Sequence, residues 1–163
     1  MRFLPVVFLI TTACSCAANL PPVLVFPEEM VPMPNTAGKT ACGRNGEPFV
    51  LLNPRIANTE AEIYVLEHEY EHARWLRGDC FRRMNRYATD SVYRFKAEVT
   101  AHCASVRLAV KNKAGEVAWR FITNAHVAIQ EGFGKQFTCE IGGGNEKENP
   151  GQRTPIPLPR SLP

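Results

Sequence analysis

Thr59-Glu-Ala-Glu62-Ile-Tyr-Val-Leu-Glu-His68-Glu69-Tyr-Glu71-His72-Ala-Arg-Trp-Leu-Arg-Gly78 carries the strongest local signals in the chain. Thr59 and Glu62 have the Ser/Thr-x-x-Glu spacing of a capping box, and Gly78 supplies a stop, so the segment predicts one helix. Ile63, Leu66, Tyr70 and Ala73 recur at helical spacing and are expected to face the core. His68 and His72 lie four residues apart on the same helix. Four residues turn through about 400°, which sets both imidazoles on one face, one turn apart. Glu69 stands beside His68 and about 60° from His72 around the axis.

That geometry has a chemical reading. Two imidazoles one turn apart can grip a single ion, and a zinc ion with three protein ligands lowers the pKa of its water to about 7. Glu69 is then placed to take the proton as general base. A third ligand is expected from Lys96-Ala-Glu98-Val-Thr-Ala-His102. A second helix from Thr89 or Asp90 to about Val110, returning antiparallel after a loop over residues 78–89, would bring Glu98 opposite His72. His102 lies one turn beyond Glu98 on the same face, and either supports the site from behind or replaces Glu98 as third ligand. His102, His126, Tyr87 and Tyr93 are each candidates to stabilise a developing oxyanion, with His126 more simply read as a packed or surface histidine.

Outward from the motif, Pro48-Phe-Val-Leu-Leu52 is a short apolar run closed by Asn53-Pro54 and reads as a strand. A third helix is expected from Glu116 to Gln130, ending at Gly132 or Gly134. The fold class implied is α+β, mainly helical, with a small sheet, over residues 40–140. Residues 19–39 read as a proline-rich extended leader and residues 141–163 as a Gly/Pro-rich disordered tail.

At the N-terminus, Arg2 precedes the apolar run Phe3-Leu-Pro-Val-Val-Phe-Leu-Ile10 and a small-residue stretch through Ala18. This is the pattern of a signal peptide over residues 1–18, and it implies a periplasmic or secreted protein. Cys14, after Thr-Thr-Ala, is the alternative processing point, a lipid-attachment cysteine that would tether the chain to a membrane. Thr11 stands where that pattern prefers a branched aliphatic residue. Export leaves Cys42, Cys80, Cys103 and Cys139, an even set that implies two disulfides. In an antiparallel helix pair Cys80 and Cys103 would lie about 20 Å apart, which disfavours that bridge; of the two pairings left open, Cys42–Cys80 with Cys103–Cys139 is the preferred one. The net charge of +3 is spread along the chain. Arg82, Arg83, Arg86 and Arg94 form no concentrated basic face, which excludes nucleic acid as a partner.

The motif, its mid-helix placement, the preceding strand and a downstream helical glutamate resemble the zincin metallopeptidases, in the branch whose third ligand is a glutamate on the next helix. The likeness spans Phe49 to Cys103. It implies zinc (Zn2+) held by His68, His72 and Glu98, Glu69 as base, and hydrolysis of a peptide or amide bond in a peptide or protein substrate. It also implies that the strand at 48–52 is an edge strand that pairs with extended substrate. Glu71 stands where the family pattern disfavours charge, and the metzincin extension is absent, its glycine and third histidine falling on Trp75 and Gly78. The alternative from a different class is an exported helical domain or lipoprotein without catalysis, acting as a partner-binding module and holding no metal.

Overall fold

The computed structural model describes residues 20–26 and 36–140. Three strands, β1 Val23–Val25, β2 Gly38–Cys42 and β3 Pro48–Leu52, precede four helices: α1 Glu62–Leu76, α2 Cys80–Thr89, α3 Ser91–Asn112 and α4 Glu116–Phe133. The domain is α+β and mainly helical, as the patterning implies. The expected signal peptide with Cys14, residues 27–35 of the leader and the tail 141–163 lie outside the described residues.

The apolar run at 48–52, expected to be a substrate-pairing edge strand, is instead the middle strand of the sheet, in the order β1-β3-β2, with both of its edges already paired. It pairs in parallel with β1, inside the stretch expected to be an extended leader, and antiparallel with β2. Asn53 donates to the Ala37 carbonyl and Gly43 to the Glu47 carbonyl, so odd-numbered positions of β2 bond to β3. Gly38 and Thr40 therefore turn their backbone groups toward the edge of the sheet that no described strand pairs with. Val50, Leu52 and Thr40 are buried under α1.

The helix boundaries follow local chemistry. The Asp90 carboxylate accepts from the Val92 and Tyr93 amides at 3.0 and 2.9 Å, which starts α3. Gly134, at φ 61°, ends α4 in the left-handed conformation that glycine tolerates. The start of α1 differs from expectation. Glu62 does reach back to a backbone amide, but to that of Asn58, while the Thr59 hydroxyl donates to the Ile56 carbonyl. Residues 53–62 run as a series of tight turns, and that series occupies the Thr59 side chain before it can cap α1.

Two further differences concern faces and loops. The buried side of α1 is Tyr64, Val65, Glu69, Ala73 and Leu76, whereas Ile63 is 47% exposed. Apolar spacing pointed to a neighbouring stripe because the true inner stripe carries the motif's polar residues, which lower its apparent hydrophobicity. Residues 80–89, expected as a loop, form α2. This helix fully buries only Cys80 and half-buries Met84 and Tyr87, a narrow stripe at i, i+4, i+7 beneath an arginine-rich outer face.

Placement of α3 depends on small residues. Ala97, Ala101, Ala104 and Ala109 are buried along it and let its backbone approach its neighbours closely. The Ser105 hydroxyl donates to the Tyr64 carbonyl of α1 at 2.7 Å. Tyr64, Val106, Ala109, Ala118 and Ile122 then close the core between α1, α3 and α4. Disulfides join Cys42 to Cys80 and Cys103 to Cys139, the expected pairing. No helix among the described residues is long and apolar enough to cross a membrane.

Candidate metal centre

The close packing of α3 on α1 brings Glu98 over the turn that carries the two histidines. His68 Nε2 lies 3.0 Å from His72 Nε2. The two Glu98 oxygens complete the cluster, Oε2 at 3.4 Å from His68 and Oε1 at 3.5 Å from His72. One donor atom from each of the three residues lies within 4.8 Å of the others, close enough for all three to converge on one ion. Two imidazoles and one carboxylate are also a donor set that leaves a fourth position open. The group could hold a metal ion.

His102 goes elsewhere. It is 1% exposed, and its Nε2 faces His126 Nδ1 at 3.2 Å, with Phe137 packed against both rings. Burial, with smaller contributions from His126 and His68, pushes its pKa down to about 3. His102 thus backs the cluster as a neutral imidazole while Glu98 faces the histidine pair. His126 is buried beside it rather than at the surface.

The electrostatics of the cluster follow from proximity. Burial would raise the Glu98 pKa, but hydrogen bonds and charge from His68 and His72 more than offset it and hold the carboxyl well below the usual range. Burial would lower the His72 pKa, and Glu98 reverses this, leaving it raised. The Tyr87 hydroxyl donates to Glu98 Oε1, and the Tyr87 ring packs edge-on to His72. Burial first, then Glu98, raises the phenol far above its ordinary value, so Tyr87 stays a proton donor. Its hydroxyl is therefore engaged with the glutamate. Tyr93 stacks on Trp75 beneath the Arg86 guanidinium.

Glu69 projects from the same helix face and is 7% exposed. Thr40 Oγ1 on β2 lies 2.8 Å from Glu69 Oε2 and 2.9 Å from the Glu69 carbonyl. Glu71, the charged residue inside the motif, points outward and pairs with Arg74 one turn away. Cavities open on both sides of the cluster. One of about 410 Å³ lies toward α4 and is bounded by Val65, Phe121, Ile122 and Ile129. The other, about 260 Å³, lies toward α2, bounded by Trp75, Met84 and Tyr87. Gly38, His68, Glu69 and Glu98 border both.

Sequence spacing found His68, Glu69, His72 and Glu98. It named Tyr87 for a different role and missed Thr40 and Gly38, because nothing in Gly38-Lys-Thr-Ala-Cys42 shows which helix the strand will cover. The usable signal for Tyr87 was its i+7 relation to Cys80 on one stripe. Comparison with known protein families, curated proteins and solved structures gives no match to this chain.

Proposed function

We propose that this chain is an exported zinc peptidase in which His68, His72 and Glu98 hold the ion and Glu69 is the general base. The observation that carries the reading is the convergence of one donor atom each from His68, His72 and Glu98, all within 4.8 Å of one another, beside the buried Glu69 carboxylate on the histidines' own helix. When bound, zinc supplies a Lewis acid that lowers the pKa of water and polarises a carbonyl. Glu69 accepts the proton released in the attack and delivers it to the leaving amine. The apolar walls on both sides lower the local dielectric and strengthen these interactions. Similarity of the motif to that of the zincins supports a polypeptide as substrate, and β2, the strand against α1 with no described strand on its outer side, is where an extended chain could pair. The two disulfides support an oxidising compartment, and with the N-terminal pattern they support export.

The test begins with metal analysis of the mature chain purified without added zinc, alongside His72→Ala and Glu69→Gln. The expected result is about one zinc per chain, lost in His72→Ala and kept in Glu69→Gln, with turnover abolished in both. A chain that binds no zinc even when supplied with it, or a Glu69→Gln protein with full activity, would overturn the reading.

A further inference from the structure

Glu69 is held on two sides by β2. Thr40 reaches its carboxyl and carbonyl from one position. Two residues earlier, Gly38 leaves a gap that only glycine allows: a Cβ there would stand 2.9 Å from Glu69 Cγ and 2.9 Å from Val65 Cγ1. Alternate residues of a strand share a face, so Gly38 and Thr40 together form the wall against which the glutamate lies. Oε2 is taken by Thr40. Oε1 has no hydrogen-bond partner among the described residues, and Glu69 borders both cavities.

The Thr40 hydroxyl has one proton and two acceptors within reach, the Glu69 carboxylate and the Glu69 carbonyl. The contact to Oε2 fixes the carboxyl against β2, and the contact to the Glu69 carbonyl holds the threonine itself in place.

We propose that Thr40 is the positioning residue of the general base: its side chain, on the face of β2 turned to α1, fixes the Glu69 carboxyl from outside the motif helix. The inference rests on Glu69 being that base.

Thr40→Val and Thr40→Ser, made in the full mature chain with zinc loaded, test it on an unfolded, dye-quenched polypeptide. Thr40→Val should lose about 10–100-fold in kcat with KM and zinc content little changed, taking as a guide the range for partners that orient the ligands of a metal site. Thr40→Ser, which keeps the hydroxyl, should recover most of that loss. Wild-type kcat in Thr40→Val, or equal damage in both variants, would overturn the role of Thr40 while leaving the peptidase standing. A zinc-loaded wild type with no turnover would remove the base itself, and the inference with it.

Discussion

His102 is a residue whose ionisation separates the folded from the unfolded chain within the pH range where the protein can be studied. Its folded pKa is pushed down to about 3, chiefly by burial, against an ordinary 6.5 when unfolded. A depressed pKa contributes stability that is complete above the unfolded value and erodes as pH falls from there toward the folded one. Zinc-stripped protein should therefore lose about 2 kcal/mol from this group between pH 8 and pH 5. Urea unfolding at the two pH values, compared with His102→Gln, measures it, and an unchanged slope in the variant would refute the assignment. The four motif residues were legible in the sequence because each signal was local: a four-residue spacing, an adjacent carboxylate, a glutamate on the next helix. The hydrogen bonds that fix those residues were not. Thr40 and Tyr87 reach the site across 29 and 11 positions respectively, and such partners are set by packing rather than by period.

At the scale of elements, α1 shows how a buried polar site misleads a hydrophobic pattern. Its inner stripe holds His68, Glu69 and His72 between Val65 and Leu76, so the eye settles on the outer stripe through Ile63. Leu76, 5% exposed, should cost about 2–4 kcal/mol as alanine. Ile63, 47% exposed, should cost less than about 0.5 kcal/mol. Chemical denaturation of the two variants decides it, and comparable losses would place the buried face wrongly. The strand at 48–52 and the helices α3 and α4 were legible nearly to the residue, since each begins or ends on a residue with a backbone reason to be there. The α2 helix was hidden by composition. Ten residues rich in arginine read as solvated loop, yet a three-residue stripe and one covalent anchor are enough to hold a helix against its neighbours. The Arg83 guanidinium adds a bond to the Trp75 carbonyl at the end of α1.

For the whole molecule, the disulfides staple a small core. Cys42–Cys80 and Cys103–Cys139 close loops with sequence separations of 38 and 36, each contributing about 4 kcal/mol by loop-closure entropy. Their effects on the site should differ. Replacing Cys103 and Cys139 with alanine should lower unfolding stability while leaving zinc affinity within a few-fold. Replacing Cys42 and Cys80 should lower both, because that bridge joins the end of β2 to the start of α2. Unfolding in urea and competition with a chelator separate the two effects, and equal zinc affinities would refute the distinction. The asymmetry has a consequence for the cell that makes the protein. β2 carries Thr40, which steadies Glu69, and α2 carries Tyr87, which steadies Glu98; the bond between these elements forms only under oxidation. In a reducing compartment the chain would lack that tie, so on the proposed reading the site would be fully braced only after oxidation.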